Sequence, residues 1–434
     1  MRLKDVRVAS WRARNQRGTA QTIPRMRAGI PAPPSAGGES SIGPVTDPRV
    51  QAAQIAAGAV ELLPEGRLEE QLAAGRPLRV KLGIDPTAPD IHLGHVVVLN
   101  KLRDVQGAGH TVVLIIGDFT ARIGDPSGQA AERPVLSVEE IDANARSFQE
   151  QAFKVLDPDR TEVRRNGEWL DMGTDKLFRL LRRFTIARLL ERDDFTQRME
   201  EGRPISALEL LYPVLQGYDS VAVKADVELG GTDQKFNLLF ARDVQEALGE
   251  PAQSIVTMPI LPGTDGVRRM SKSLGNYVGV TDPPEEMFGK LMSIPDDAMG
   301  EYRRLLLGEE DGGDDDPAAA KRALARRLVE RFHGAEAATA AEARFDRVHV
   351  EGRPPEEVEE VTVDSDGTVH MPALLAEHFG LSRSEGRRLL EQGGVRVGGR
   401  VLEGGELDMA AAELDGEIVQ VGKRRFKRVR ASSG

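Results

Sequence analysis

The stretch "LRVKLGIDPTAPDIHLGHVVVLNKLRDVQGAGHTVVLIIGD", residues 78–118, decides the fold. It contains two short apolar segments, and between them Val98, Leu102 and Val105 fall on one face of an amphipathic helix. The second apolar segment, residues 111–116, has no polar interruption after its first residue, as is typical of a strand in a parallel sheet buried on both faces. The order strand, helix, strand predicts a Rossmann-like unit.

The rest of the chain first extends this sheet and then leaves it. Residues 137–217 have a mostly helical pattern, after which residues 220–243 have the pattern of a strand, a tight glycine turn and a helix. We therefore predict an α/β fold whose parallel sheet resumes after a helical insertion. Beyond residue 276, Ala-, Leu- and Arg-rich segments predict further helices, and the Pro- and Glu-rich residues 350–367 are typical of a linker.

The composition of the chain excludes several kinds of protein. None of its 434 residues is a cysteine, which excludes disulfides, thiolate metal sites and cysteine nucleophiles and fits a reducing compartment, so we expect the protein in the cytoplasm. No apolar run approaches the roughly 20 residues that a membrane span needs. The formal net charge of −11 argues against a protein that coats nucleic acid with its whole surface.

The start of the chain differs in composition from the rest. Residues 1–47 are rich in Arg, Pro and Gly and lack apolar periodicity, so we predict that they are disordered. An Arg-rich, acid-poor segment also suits a transit peptide, and a misassigned start is a third interpretation. None of these alternatives changes the predicted fold, because nothing in the segment is patterned to pack on a core.

Two histidines, His92 and His95, lie around Gly94 at the start of the first predicted helix. A metal site needs at least a third protein ligand, and the other histidines lie at no helpful spacing, so we expect no metal here. Packing is the second alternative. The third is an anion site, because the unpaired N–H groups of a helix start attract phosphate and side chains three residues apart share a face. Gly94 would let a flat base approach the backbone.

A second signal, the segment "RMSKS" at residues 269–273, follows a glycine-containing loop. Its Lys272 suits a leaving pyrophosphate, because an ammonium group is a point charge that tolerates changing geometry. Together, "HLGH" (92–95) and "RMSKS" resemble the HIGH and KMSKS signatures of class I aminoacyl-tRNA synthetases, with Arg269 where the family usually has lysine. The resemblance implies that His92, His95 and Lys272 are catalytic and that ATP is bound by Gly83, Asp85, Thr87, His92, Gly94, His95, Gly231, Asp233, Met270 and Lys272.

The segments "LYPVLQGYDS" (211–220) and "GGTDQ" (230–234) resemble the amino-acid pocket of tyrosyl-tRNA synthetases. Tyr212, Gln216 and Asp219 fall on one helical face. Taken singly, Tyr212 could fill the core, Asp125 could form a turn before Pro126, and Asp219 could be an ordinary surface acid, so the resemblance depends on the order of these residues together. It implies that Asp219 accepts the phenolic hydroxyl and that Tyr212, Gln216 and Asp125 hold the ammonium group. The implied tyrosine-binding set is Lys81, Thr120, Asp125, Tyr212, Gln216, Asp219 and Gln234.

The end of the chain is basic although the protein as a whole is acidic. Residues 381–402 resemble the S4-like RNA-binding domain of bacterial tyrosyl enzymes, with an arginine-bearing helix followed by a short hairpin. The implied tRNA contacts are Arg383, Arg387, Arg388, Lys423, Arg424 and Arg425. The predicted divisions are a disordered segment 1–47, a Rossmann-like catalytic domain 48–265, a signature loop with an α-helical anticodon-binding domain 266–349, a linker 350–367 and a small α+β S4-like domain 368–434.

The resemblance also implies the reaction and its partners. An amino-acid carboxylate is already ionised, so its attack on ATP needs no general base and no covalent enzyme intermediate. We expect ATP with Mg²⁺, L-tyrosine and tRNA(Tyr) as substrates, no tightly bound cofactor, no membrane association and a homodimer. The alternatives are a tryptophanyl enzyme, another class I nucleotidyl transferase, and a non-catalytic RNA-binding protein. Asp219 and the S4-like segment argue against the first, and intact His92, His95 and Lys272 argue against the last.

Overall fold

A computed structural model describes the chain from residue 47 onward with short internal gaps. The described ranges are 47–125, 136–309, 316–355, 358–364, 367–422 and 425–432. The predicted disorder of residues 1–47 therefore falls outside the described residues except for Asp47, which caps the first helix. Lys423 and Arg424 also lie outside them.

The main sheet has six strands in the order β1-β6-β5-β2-β3-β4. All neighbours are parallel except β1, which is antiparallel to β6. The strands are β1 Glu61–Leu63, β2 Arg79–Ile84, β3 Thr111–Ile116, β4 Thr161–Arg165, β5 Val227–Gly231 and β6 Ser254–Met258. Because the chain proceeds from β2 to β3 on one side and returns on the other side as β5, the strand order reverses between β2 and β5.

The predicted strand, helix, strand unit is confirmed as β2, the helix Leu93–Gly107 and β3. The predicted helical face packs inward, with Leu102 and Val105 buried and Val98 half-buried against the same core. The helix ends where Gly109 adopts a left-handed φ of 91° that favours glycine. The uninterrupted apolar strand β3 is buried from its second residue to its last, as a central parallel strand requires.

Helices cover the sheet and form most of the segments that follow it. In the first half of the chain they are α1 Pro48–Ala56, α2 Arg67–Ala73, α3 Leu93–Gly107, α4 Val138–Ala152, α5 Gly167–Leu170, α6 Thr174–Leu181, α7 Ile186–Leu189, α8 Asp193–Glu200 and α9 Ala207–Val223. In the second half they are α10 Lys235–Ala247, α11 Pro284–Met292, α12 Met299–Tyr302, α13 Pro317–His333, α14 Ala335–Phe345, α15 Met371–Phe379, α16 Arg383–Glu391 and α17 Ala411–Leu414. Among the described residues, no helix is both long and apolar enough to span a membrane.

Two strands lie in segments for which the sequence pattern predicted a different structure. The mostly helical segment 137–217 contains β4, which extends the main sheet beside β3. β4 is an edge strand of half-buried, mostly charged residues, so it lacks the apolar signature of a buried strand. Within the predicted linker 350–367, Glu360–Asp364 forms β7, so this part of the segment belongs to a sheet.

That second sheet has five strands and a hydrophobic core of its own. Its order is β10-β9-β12-β13-β7, with β13 parallel to β7 and the other neighbours antiparallel. The strands are β9 Val395–Val397, β10 Arg400–Val401, β12 Ile418–Val421 and β13 Arg425–Ser432, and a separate pair is formed by β8 Thr368–His370 and β11 Asp408–Ala410. Side chains such as Leu375, Leu390 and Val419 fill the core between these strands and α15 to α17.

Candidate active site

The candidate active site lies in the crevice at the carboxyl ends of β2 and β5, where the strand order reverses. Open parallel sheets bind ligands at this point, because the loops on either side diverge from each other. The turns after β2, β3 and β5 bring Asp85, Thr120 and Asp233 to one pocket, and α9 forms another wall. The residues that line the pocket are Gly83, Ile84, Asp85, Thr87, His95, Ile115, Gly117, Thr120, Asp125, Asn166, Tyr212, Gln216, Asp219, Asp233, Gln234 and Arg269.

Asp85 lies at the centre of a hydrogen-bonded cluster in this pocket. The hydroxyl groups of Thr120 and Tyr212 donate to its two carboxylate oxygens at 2.6 and 2.9 Å. Burial raises the pKa of Asp85 to about 7, and neighbouring carboxylates add to the rise. A Cβ atom on Gly117 would lie 2.0 Å from the Asp85 carboxylate, so only glycine leaves room for the cluster. Asp85, which the resemblance assigned to ATP, thus contacts two residues assigned to tyrosine.

Asp219 lies on the inner face of α9 and is 3% exposed. The indole N–H of Trp169 donates to one of its oxygens at 2.8 Å, and the amide of Asn166 donates to the other at 3.3 Å. Burial raises the pKa of Asp219 to about 7, although the positive charge of Lys81 and the two hydrogen bonds oppose the rise. Sequence reasoning missed Trp169 and Asn166, because no motif marks them within the insertion.

Asp125 is held by a second group of polar side chains at the pocket. The amide nitrogen of Gln234 donates to Asp125 at 2.7 Å, and the guanidinium of Arg192 lies 3.5 Å from its other oxygen. Arg192 is only 4% exposed and also donates to Asn237, whose amide in turn donates to Gln234 at 3.0 Å. Arg192 and Asn237 were not predicted, and they fix the two predicted residues that they contact.

Lys81, predicted to bind tyrosine, lies beneath the pocket and does not line it. Its side chain is fully buried, and its ammonium group forms an ion pair with Glu228 at 2.8 Å. The same ammonium donates to the hydroxyl of Ser220 at 2.8 Å and to the backbone oxygen of Gln216 at 3.2 Å. The structure therefore brings Lys81 to the underside of α9, while Gln216 itself lines the pocket.

The rings of His92 and His95 lie side by side at the start of α3, with their centroids 3.8 Å apart. Nδ1 of His95 accepts a hydrogen bond from the backbone N–H of His92 at 3.2 Å, so in the neutral ring Nε2 carries the proton. Burial and the nearby charge of Lys272 lower the pKa of His95 to about 4. Burial, His95 and Lys272 hold the pKa of His92 well below its usual range. Both rings are therefore neutral at pH 7 and act as hydrogen-bonding groups without a charge.

The signature loop 269–273 contacts the start of α3 directly. The ammonium of Lys272 donates to the backbone oxygen of Asp90, and burial lowers its pKa although Asp90 opposes the change. After the loop, the backbone N–H of Val280 donates to Ile91 and the backbone oxygen of Val278 accepts from Leu93, each at 2.9 Å. This backbone pairing joins the two sequence signatures, which are far apart along the chain.

Arg269 and Asn276 fix the two ends of this loop. Arg269 lines the pocket and forms an ion pair with Asp233 at 3.3 Å. Asn276, which sequence reasoning missed, is 4% exposed; its amide group donates to Asp265 and to the backbone oxygen of Arg269, each at 3.1 Å. The amide oxygen of Asn276 accepts from the backbone N–H of Ser271 at 2.9 Å. A single buried side chain therefore closes the loop.

Two predicted glycines lie where a larger side chain would collide. A Cβ atom on Gly94 would lie 3.0 Å from the ring of His92 and 3.6 Å from the Cβ of Met270. A Cβ atom on Gly231 would lie 2.6 Å from the carboxylate of Asp233. Neither glycine has a φ in the left-handed region, so close approach is the reason for glycine at both positions.

The predicted RNA-contacting arginines lie in the small C-terminal sheet and its helix. Arg383, Arg387 and Arg388 are on α16 with exposed side chains, and Arg425 begins β13 and is also exposed. Arg425 donates to the backbone oxygen of Phe379 at the end of α15. These side chains are accessible to a polyanion, as phosphate contacts require.

Comparison with known proteins identifies the family. Residues 73–349 match the family model for tRNA synthetases class I (W and Y). The chain is 50% identical over 388 residues to a tyrosine–tRNA ligase of Bordetella bronchiseptica, covering 86% of this chain and 94% of that protein. It is 51% identical over 391 residues to a tyrosine–tRNA ligase of Thiobacillus denitrificans, covering 87% of this chain and 98% of that protein.

Solved structures share the fold at lower identity. A tyrosyl-tRNA synthetase from Aeropyrum pernix superposes with a TM-score of 0.56 at 24% identity, covering 68% of this chain and 98% of that one. A tyrosyl-tRNA synthetase complexed with L-tyrosine from Archaeoglobus fulgidus gives a TM-score of 0.56 at 24% identity, covering 68% of this chain and 100% of that one. Because the family model spans more than half of the chain and the bacterial relatives share half of its residues, the chain belongs to the class I tRNA synthetase family of tryptophan and tyrosine enzymes, among the bacterial tyrosine–tRNA ligases.

Proposed function

We propose that the protein activates L-tyrosine with ATP to give tyrosyl-adenylate and pyrophosphate, and then transfers the tyrosyl group to the 3′ end of tRNA(Tyr). The observation that carries this proposal is the buried Asp219 at the pocket, held by Trp169 and Asn166. A buried carboxylate needs donors around it, and beside those of Trp169 and Asn166 its remaining lone pairs can accept from the phenolic hydroxyl of tyrosine. Phenylalanine has no group to place there.

The other end of the pocket suits the ammonium group of an amino acid. Asp85 and Asp125 line it together with the hydroxyl of Tyr212 and the amide of Gln216. Opposite charges at short range are strongly favourable where water is excluded. The proposed substrate therefore lies with its hydroxyl at Asp219 and its ammonium near Asp125, and its carboxylate is left to face ATP.

The chemical step needs positioning more than acid or base catalysis. An oxygen of the ionised tyrosine carboxylate attacks the α-phosphorus of ATP, and the bond to the pyrophosphate oxygen breaks, without a proton transfer. The neutral ring of His95 has a proton on Nε2 to donate to a phosphate oxygen. Lys272 can exchange the backbone oxygen of Asp90 for the departing pyrophosphate.

ATP enters this scheme as its Mg²⁺ complex. In the part of the chain that the structure describes, no three His, Asp or Glu side chains converge to hold a metal ion. The ion would therefore be held mainly by the phosphates of ATP, where it neutralises charge. Gly83, Thr87, Gly94, Gly231, Asp233 and Met270 complete the proposed ATP side.

The proposed function also assigns roles to segments outside the active site. Residues 368–434, together with β7, form the proposed tRNA-binding module, and residues 266–349 contain the proposed anticodon-binding helices. A homodimer through the insertion is supported by exposed apolar side chains at Phe178, Ile186 and Met199, which are 63, 64 and 56% exposed. A location in the cytoplasm remains a prediction.

Amino-acid-dependent exchange between ATP and pyrophosphate tests the proposal. We expect the full chain to catalyse exchange with tyrosine and to show no more than background with tryptophan or phenylalanine. Exchange with tryptophan alone would make the protein a tryptophanyl enzyme. No exchange with any of the three, in a protein that still binds tRNA, would indicate an RNA-binding protein without this activity.

A further inference from the structure

A buried polar network lies beneath the amino-acid pocket, between the two strands at which the order of the main sheet reverses. Lys81 on β2 and Glu228 on β5 are direct partners in the parallel register. Their exposed fractions are 0 and 1%. Glu228 accepts from Lys81 and from the amide of Gln216 on one oxygen, and from Ser220 and Gln253 on the other.

The ammonium group of Lys81 has no donor left for a substrate. An ammonium has three N–H donors, and the three acceptors around it are Glu228, the hydroxyl of Ser220 and the backbone oxygen of Gln216. A buried ion pair of this kind contributes little net stability compared with apolar residues of similar size. We therefore infer that the ion pair serves to orient a neighbouring group rather than to stabilise the fold.

The group that it orients is the side-chain amide of Gln216. The amide nitrogen lies 3.2 Å from the Glu228 carboxylate, and rotating the amide by half a turn would place its oxygen against that negative charge. The amide oxygen is thus held away from Glu228. It is buried and accepts no hydrogen bond from any described residue, although Gln216 lines the pocket.

We propose that Lys81 and Glu228 are a positioning pair, which turns the amide oxygen of Gln216 toward the amino-acid pocket and thereby selects ligands that carry an α-ammonium group. This inference rests on the proposed function, because it assumes that the pocket receives tyrosine. Lys81 pairs with the buried Glu228 carboxylate at 2.8 Å, Glu228 fixes the amide nitrogen of Gln216, and the free amide oxygen accepts from the ammonium. Neither member of the pair touches the substrate, so both act through Gln216.

The experiment compares two ligands on the full-length protein. L-tyrosine and 3-(4-hydroxyphenyl)propionate differ only in the amino group, and their dissociation constants can be measured by equilibrium dialysis. In Glu228→Gln the new amide can donate to Gln216 as well as accept from it, so the Gln216 oxygen is no longer held toward the pocket. We expect tyrosine to bind about tenfold more weakly and the propionate to change less than twofold.

A double-mutant cycle separates positioning from a general disturbance of the pocket. Gln216→Ala should itself weaken the preference for the amino group, which Asp125 and Tyr212 continue to bind, and adding Glu228→Gln to it should then change the ratio of the two constants no further. Gln253→Met, which removes a donor from the other oxygen of Glu228, is the matched control and should leave the ratio within twofold of wild type.

Each outcome decides one point. A wild-type protein that binds neither ligand contradicts the proposed function. A wild-type protein that prefers tyrosine, with a Glu228→Gln variant that keeps the full preference, overturns the positioning pair and leaves the function intact. If the single variant fails to fold, the double variant Lys81→Met/Glu228→Gln, which buries no unpaired charge, replaces it. We expect this variant also to lose preference for tyrosine over the propionate, and a fully kept preference would again overturn the positioning pair.

Discussion

The amino-acid pocket and the phosphate side of the same crevice are built differently. In the pocket, polar side chains hold one another, with two donors on Asp219 and two on Asp85. On the phosphate side, Lys272 is held through a backbone oxygen, and Nδ1 of His92 is buried with no partner among the described residues. One side is fixed before the ligand arrives, and the other has groups free to take new partners.

The difference follows from what each side has to recognise. A hydroxyl group does not change during activation, so its partner benefits from a rigid network that leaves an unpaired group when the wrong ligand enters. The charge on the phosphates moves as pyrophosphate departs, so donors that are loosely held in the ground state can bind more tightly in the transition state. We therefore expect mutations on the two sides to affect different kinetic quantities.

Lys272→Ala should have the largest effect, and it should affect rate. Loss of one donor to developing charge slows reactions by about 100- to 1000-fold, so adenylate formation should fall by that factor. The dissociation constant for tyrosine should stay within about twofold, because Lys272 does not line the amino-acid pocket. Single-turnover kinetics with equilibrium binding measures both quantities.

A control at Arg268, immediately before the loop, makes the result specific. Arg268 is exposed and pairs with Asp265 three residues earlier, so Arg268→Ala should change the rate of adenylate formation by less than twofold. If Lys272→Ala kept a wild-type rate, or weakened tyrosine as much as it slowed the reaction, the two sides of the crevice would not differ as described.

Asp219→Asn should reduce the discrimination between tyrosine and phenylalanine. The substitution keeps the shape of the side chain but replaces a charged acceptor by an amide, which also places an N–H group near the donors of Trp169 and Asn166. An unpaired buried polar group costs about 1–3 kcal/mol, so discrimination between tyrosine and phenylalanine should fall about 10- to 100-fold. Pyrophosphate exchange with both amino acids gives the ratio of kcat/KM, and an unchanged ratio would show that Asp219 does not recognise the hydroxyl.

The charge state of Asp219 predicts a smaller effect of pH. Because burial raises the pKa of Asp219 to about 7, the carboxyl group ionises as the pH rises from 6 to 8. The ratio of the dissociation constants for phenylalanine and tyrosine should therefore rise with pH by about tenfold at most. Asp85 ionises in the same range, but it faces groups that both amino acids share, so it should shift both constants together.

Equilibrium dialysis between pH 6 and pH 8 checks this expectation. In Asp219→Asn the ratio of the two dissociation constants should be independent of pH, while both constants still move together through Asp85. A ratio that rises equally in the variant would assign the titration to another group.

Local sequence patterns predicted the elements that carry the site. The apolar period predicted α3 and its flanking strands, and the spacing in residues 211–220 placed Tyr212 and Asp219 on one face of α9. Both patterns depend on neighbours within a few turns, which is the range over which side-chain periodicity is informative. The same reasoning failed for β4, because an exposed edge strand has no apolar face to reveal it.

Such local patterns do not predict contacts between segments that are far apart in the sequence. Lys81 lies at a position that the resemblance assigned to the pocket, and the structure buries it against Glu228 because β2 pairs with β5 in that register. Trp169 and Arg192 reach Asp219 and Asp125 from short elements of the insertion, whose placement depends on packing across the fold. No spacing in the sequence encodes these distances.

Asn276 is a further residue that only the structure identifies, and it gives the smallest of the expected effects. It closes the loop 269–273 through its amide group, yet it lies away from the pocket lining. Asn276→Ala removes these hydrogen bonds, each worth about 0.5–1.5 kcal/mol, from a loop that must in any case change partners. We expect adenylate formation to slow about three- to tenfold. The affinity for tyrosine and the discrimination between tyrosine and phenylalanine should stay unchanged. Ser273→Ala, which removes only an exposed hydrogen bond to the hydroxyl of Ser271 in the same loop, is the matched control and should stay close to wild type in single-turnover kinetics. A loss of tyrosine affinity in Asn276→Ala would mean that the loop and the pocket are one rigid unit, and the contrast between a fixed side and an adaptable side would not hold.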